Sequence, residues 1–284
     1  MRRQFLETFY RIAASGLVPR RLLAPVPELP PAPPRGDPSR PLAIEIVSHC
    51  WRYHSLLEYQ LSSLVLHAVG EAKVTMTVFH SPEDRPTREV LDYFGGLEVE
   101  GVRWNPRPLP RERLFRRAIG RNLAAKESSA DWVWFSDCDV IFHEGALDRA
   151  ARVLRNRDDV LVFPREHFVT DLLEPGHDLL GGTDHDPRVV DIDPGQFHPE
   201  LRDRAVGGFQ IVRGDVARAV GYCDRIGFYQ EPLDRWQKTF EDRTFRWLLG
   251  TEGTPVEIPG LYRIRHLAKG RKSAAELPDS GQRP

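Results

Sequence analysis

DWVWFSDCDVIF, residues 131–142, decides how the rest of this chain is read. Residues 132–135 are four apolar residues in a row, the pattern of a short buried strand. They run straight into Asp137 and Asp139. In an extended chain, residues two apart point to one face, so the two carboxylates can converge on one ion if strand geometry persists that far. Hard carboxylate oxygens suit Mg2+ or Mn2+. Such an ion, bridging two phosphate oxygens, offsets the negative charge that develops on a departing diphosphate. Asp-x-Asp also occurs by accident on surface turns. Here the strand before it puts the pair where α/β sheets bind ligands, beyond the carboxyl ends of their strands.

Outward from this stretch, strands and helices alternate. The pattern predicts strands at 42–47, 74–79, 97–104, 160–163 and 209–212. It predicts helices at 55–69, 87–93, 112–126, 146–155, 215–220 and 244–249, the second announced by Asp84 and Pro86. Alternation of this kind implies a mainly parallel sheet with right-handed crossovers, flanked by helices. His49–Arg52 and Asp137–Asp139 then share the carboxyl edge. Residues 164–206, rich in Gly, Pro, Asp and His, show little periodicity and read as a lid or acceptor region. Residues 1–23 read as a basic amphipathic helix with Phe5, Leu6, Phe9, Ile12 and Ala13 on its apolar face. It docks on its own domain or, alternatively, lies on a membrane surface or a partner. Residues 24–41, APVPELPPAPPRGDPSRP, read as a proline-rich linker, and 269–284 as a disordered tail.

The 284 residues suffice for one large α/β domain, here 42–268. The net charge of −1 removes any global argument for nucleic acid, so an anion site must be local. Three widely spaced cysteines give no disulfide framework and fit a reducing, cytoplasmic compartment, with contact to the inner membrane face through the N-terminal helix as the alternative. No apolar run reaches the roughly 18 residues of a membrane span.

Three further features bear on chemistry. Glu241 and Asp242 open the predicted helix in FEDRTFRWLL. They are either ordinary helix N-terminal charge or a general base for an acceptor hydroxyl with its neighbour. His266, in LYRIRH, is a metal ligand or a structural histidine. Gly207–Gly208 allow close approach of backbone to ligand, or only a turn.

Taken in order, IVSHCWR, FRRAIGRNLAAKESSADWVWFSDCDVIF, VGGFQIVRGDVARAVGYCD, FEDRTFRWLL and YRIRH resemble the catalytic domains of inverting GT-A glycosyltransferases. The likeness is to the β-1,4-galactosyltransferases and to family 2 glycosyltransferases, over about residues 42–268 with gaps. It implies a GT-A fold, a nucleotide-sugar donor (UDP foremost), Mn2+ or Mg2+, and a glycan, lipid-linked or small-molecule acceptor. It implies that Arg52, Phe115, Arg117, Asp137 and Gly208 serve the nucleotide and donor sugar. Asp139, with Asp137 and His266, would hold the metal. Asp242 would be the base, with Glu241 beside the acceptor. Lys238, Thr239 and Phe240 stand where galactosyltransferases carry Trp-Gly-Gly, and Arg263 where they carry a methionine ligand. The alternatives are a phosphatase of the haloacid dehalogenase type, which also uses Asp-x-Asp after a strand, and a non-catalytic nucleotide- or glycan-binding module.

Overall fold

The computed structural model describes residues 2–17, 28–31, 40–67, 69–180, 186–235 and 240–267. The tail expected at 269–284 lies outside them, as do 24–27 and 32–39 of the linker.

A helix, α1 (Arg2–Ile12), passes into a wider turn at Ala13–Leu17. The α/β body follows as β1 (Leu42–Cys50), α2 (His54–Leu66), β2 (Ala72–His80), α3 (Arg85–Gly95) and β3 (Val102–Pro108). Then come α4 (Arg111–Leu114), α5 (Arg117–Glu127), β4 (Trp132–Phe135), β5 (Val140–Phe142) and α6 (Ala146–Leu154). Next are β6 (Leu161–Pro164), β7 (Glu166–Val169), β8 (His198–Leu201), β9 (Gln210–Arg213) and α7 (Gly214–Val220). The last are α8 (Glu241–Leu249), β10 (Thr254–Val256) and β11 (Leu261–Arg263).

The main sheet has the order β10-β6-β9-β4-β1-β2-β3. β1 pairs in parallel with β2 and β4, β2 with β3, and β10 with β6, while β9 runs antiparallel to both neighbours. A second sheet, β5-β11-β7-β8, sits beyond the acidic loop. The expected α/β architecture, a mainly parallel central sheet flanked by helices, is therefore present.

β4 shows how the sheet is held. Trp132 and Trp134 join the core formed with α2, α3 and α6, while Val133 and Phe135 join the core with α5, α7 and α8. Both faces being covered, the strand is apolar at every position. A third, smaller core (Ile141, Leu173, Leu179, Ile192, Phe197, Ile264) underlies the second sheet.

Four elements depart from expectation. The third strand starts at Val102 rather than 97, because Leu97 turns back onto Phe94 O and Gly101 takes a left-handed φ of 75°. Its Pro106 and Pro108 are tolerated because β3 is the sheet edge. The helix expected at 112–126 is broken after α4, and the non-helical Arg116 (φ −95°, ψ 87°) redirects the chain into α5. Asp84 precedes α3 but does not cap its backbone; its carboxylate accepts from the Thr87 hydroxyl (2.7 Å) and the Arg52 amide (2.5 Å). Within 164–206, β7 and β8 pair antiparallel, so the region is not structureless.

α1 lies on the body. Leu6 and Tyr10 pack against the α5–α7–α8 core, the Tyr10 and Tyr229 rings being 6.1 Å apart, and Ala13 is buried. Phe5, Phe9 and Ile12 are exposed. Within the linker, the Pro30 carbonyl accepts a 2.9 Å bond from Arg213 Nη2. No helix among the described residues is long and apolar enough to cross a membrane.

Candidate active site

The carboxyl ends of β1, β2 and β4 converge, and the acidic loop lies among them. Ser136 N–H donates to Val47 O, which carries the chain out of β4 alongside β1. The loop is then pinned from below by α2. Gln60, fully buried, donates through Nε2 to Asp137 O and Val140 O (both 2.9 Å) and is oriented by Ser48 Oγ (2.8 Å). From the far side, Ile264 N–H donates to Asp139 O (3.0 Å), tying β11 to the same loop.

The two aspartates take different arginines. Asp137 Oδ1 accepts from Arg117 Nη1 (2.7 Å) and Arg121 Nη2 (3.4 Å). Residues four apart on α5 share a face, which is why both guanidiniums reach one carboxylate. Burial works against the charge of Arg117, yet Asp137, Glu241 and Asp242 outweigh it and hold its pKa above the usual value. Arg121 is buried against the Phe135 and Tyr222 rings and also donates to Gly207 O (3.3 Å). Asp139, buried, accepts at Oδ2 from Arg263 Nε (3.3 Å). Around that pair stand Arg202 and His167, with Arg202 Nη2 3.1 Å from His167 Nε2. Burial, reinforced by Arg202 and Arg263, pushes the His167 pKa down to about 3, so the ring is neutral and accepts that bond.

Gly207–Gly208 join this loop to α8. Gly207 takes a left-handed φ of 55° and donates its N–H to Asp242 Oδ2 (3.2 Å). A Cβ on Gly208 would stand 2.8 Å from Asp137 N, so only glycine fits against the loop. Gly208 O accepts from Trp134 Nε1 (2.9 Å), which fixes the turn to β4. Asp242, half-buried, also accepts from the Arg243 amide (2.9 Å). Glu241 points inward: its carboxylate accepts from Ala118 N–H (3.0 Å) and faces Arg116 (3.6 Å), bracing α8 against α5.

Arg52 and Phe115 meet at Trp51, whose indole is edge-on to Phe115 (5.5 Å) and lies under the Arg52 guanidinium (5.0 Å). Arg52 holds a left-handed φ of 59°, and its Nη1 is buried with no hydrogen-bond partner among the described residues. His266, buried, sits edge-on to Tyr53 (5.1 Å) and bridges to Leu173. Beside that bridge opens a cleft of about 480 Å³ lined by Tyr59, Thr170, Asp171, Leu173, His177 and Asp178 among others.

The structure thus gathers Arg117, Asp137, Gly208 and Asp242 into one constellation. It stations Asp139 with Arg263 next to it, and Arg52 with Phe115 on a separate wall. The ligand atoms of Asp137, Asp139 and His266 do not all lie within 4.8 Å of one another. The donor types still fit a hard divalent ion, because Mg2+ characteristically takes one or two carboxylates plus substrate phosphates rather than a closed protein cage. Sequence reading missed Gln60, Arg121, His167 and Arg202. The one usable signal was the i, i+4 spacing of Arg117 and Arg121 ahead of an acidic loop.

Residues 86–221 match the family model described as Glycosyl transferase family 2. No curated protein matches the chain. Among solved structures, S. aureus TarS 1-349 is 13% identical, with a TM-score of 0.45 over 80% of this chain and 58% of that one. TarS 1-349 in complex with UDP gives 13% and 0.48 over 78% and 60%. The mannosyltransferase PcManGT from Pyrobaculum calidifontis, in complex with GDP-Man and Mn2+, gives 14% and 0.45 over 93% and 65%. The chain spans less than two thirds of the length of each of these. The family match bears out the resemblance to family 2 glycosyltransferases; the likeness to β-1,4-galactosyltransferases rests on the sequence motifs alone.

Proposed function

We propose that this chain, a glycosyltransferase with a family 2 match across residues 86–221, transfers a sugar with inversion from a nucleoside-diphosphate sugar to an acceptor hydroxyl. UDP-sugar is the favoured donor and Mn2+ or Mg2+ the favoured ion. The observation that carries this reading is the two-glycine link: Gly207 binds Asp242 while Gly208 abuts Asp137. It puts a solvent-accessible carboxylate within one turn of the acidic loop.

Asp242 takes the acceptor proton as the hydroxyl attacks the anomeric carbon from the face opposite the diphosphate. Its bonds from Gly207 N–H at Oδ2 and Arg243 N–H at Oδ1 hold the carboxylate in place, and each oxygen keeps a second lone pair. Arg52 presents a buried N–H that lacks an acceptor among the described residues, suited to an oxygen of the nucleotide. Arg117 and Arg121 orient Asp137 and lower the cost of bringing phosphate negative charge beside it. Asp139 would bind the ion, with His266 on the neighbouring segment; when bound, the ion supplies charge neutralisation for the leaving diphosphate. Glu241 acts behind Asp242 as a strut to α5. The acceptor enters through 164–206, where the cleft of about 480 Å³ offers carboxylates and an imidazole to sugar hydroxyls.

The direct test is Asp242→Asn. Donor affinity should stay within about twofold while transfer falls by roughly 100-fold or more. Unchanged turnover removes Asp242 as the base. Donor-dependent activity should also disappear in excess chelator and return with Mn2+; full activity under chelation removes the ion from the reaction.

A further inference from the structure

Away from the acidic loop, at the opposite end of α2, three side chains from separate parts of the chain meet. His67 is the residue that closes α2, His143 follows β5, and Asp191 lies in the segment leading to β8. Among the described residues they form the one group of three or more His, Cys, Asp or Glu side chains whose ligand atoms all lie within 4.8 Å of one another. The two imidazoles are 4.3 Å apart between centroids, and His143 Nε2 is 3.9 Å from Asp191 Oδ1.

We propose that His67, His143 and Asp191 bind a divalent transition ion of the zinc class, at a site separate from the diphosphate site. Two imidazole nitrogens and one carboxylate oxygen are the ligand types that a borderline-soft ion selects over Mg2+. His67 Nε2 is buried and has no hydrogen-bond partner among the described residues, which is costly for a polar atom unless a ligand completes it. Burial, and then the proximity of His143, hold the His67 pKa below its usual value, so the ring is neutral near pH 7 and has a lone pair to give. The end of a helix carries the negative pole of its dipole, and His67 caps a 13-residue helix there.

The scaffold around the three groups is firm. His143 N–H donates to Gly260 O, and its ring rests edge-on against Tyr262 (5.3 Å). The Asp191 segment is fastened to α2 by Val190 N–H to Ser62 Oγ (2.9 Å) and Arg188 N–H to Glu58 Oε1 (3.3 Å). An ion here would add a third fastening. It would clamp the 186–193 segment to α2 and to the β5–β11 corner, ordering the region read above as the acceptor side.

The test uses the full-length protein stripped of metal and titrated with Zn2+, followed by Tm and isothermal calorimetry, and with Co2+, followed by its visible d–d absorption. One equivalent should bind, and Tm should rise by about 5 °C at a Zn2+ concentration of a hundred times Kd. His143→Gln and Asp191→Asn should each abolish the tetrahedral Co2+ spectrum and the Tm response. Asp191 is exposed, so its variant keeps the metal-free Tm and isolates ligation from folding. Asp139→Asn should leave the response intact. No Zn2+ response in the parent protein, or one that survives His143→Gln or vanishes in Asp139→Asn, overturns the proposal.

Discussion

Two histidines, His167 buried and His49 half-buried, set how individual residues answer acid. His167 has its pKa pushed from an ordinary 6.5 down to about 3 by burial, Arg202 and Arg263. His49 is held well below its usual value by burial and then by Arg121 and Arg117. Below pH 6.5 the unfolded chain binds protons at these positions and the folded chain does not. Stability therefore rises with pH across the interval from about 3 to 6.5 and levels off above it. His167 alone should remove up to about 2 kcal/mol between pH 6.5 and pH 5. His167→Gln can still accept from Arg202 and should shallow the pH dependence of urea unfolding; an unaltered slope would show that the ring is not buried neutral. Asp137 and Asp139 were legible because their signal is local, a carboxylate pair against an apolar strand. Arg121, Arg202 and His167 were not, because a charged side chain on a helix or in an irregular stretch looks like solvent-facing polarity until the fold buries it.

At the level of elements, α2 does more than cover the sheet. Gln60 stands among Leu56, Leu57, Leu61 and Leu64 on the buried face, and the apolar periodicity conceals it. It supplies the donors for two loop carbonyls, at Asp137 and Val140. Gln60→Leu keeps the volume but removes a donor from both carbonyls and the acceptor of Ser48 Oγ; Asp137 O keeps Val140 N–H and Ser136 Oγ, so the cost, about 1–3 kcal/mol, falls at Val140 O and Ser48. The expected result is a lowered Tm together with weaker donor binding, because the acidic loop loses its anchor. A lowered Tm with unchanged donor Kd would confine Gln60 to folding. Long elements with a clear period, such as β1, α2, β2 and α3, were read within a few residues. β5, β7, β8 and β10 were missed because three- or four-residue strands carry no readable alternation, and β11 was legible only as the strand end before His266. β8, HPEL, is exposed and contains Pro199, which hides it further.

Over the whole molecule, α1 joins the α/β body through Leu6, Tyr10 and Ala13 while Phe5, Phe9 and Ile12 face outward. We propose that this outward face contacts a bilayer carrying the acceptor. Phe5→Ser with Phe9→Ser should then reduce co-sedimentation with anionic vesicles by roughly tenfold and leave Tm unchanged. Parent protein that ignores vesicles would count against that role. Truncation of residues 1–17, in contrast, should lower Tm, since it uncovers Tyr229.

The reversed course of β9 has a further consequence. Because it returns beside β4, Gly207 and Asp137 meet at one edge although some seventy positions separate them. Among the described residues, 170–206 add no strand to the main sheet, so the stretch from the end of β7 to that return is an excursion. Natural variation can lengthen, shorten or exchange this excursion without moving the carboxylates. A change of that kind would therefore alter what can reach the acidic loop while leaving Asp137 and Gly208 in place.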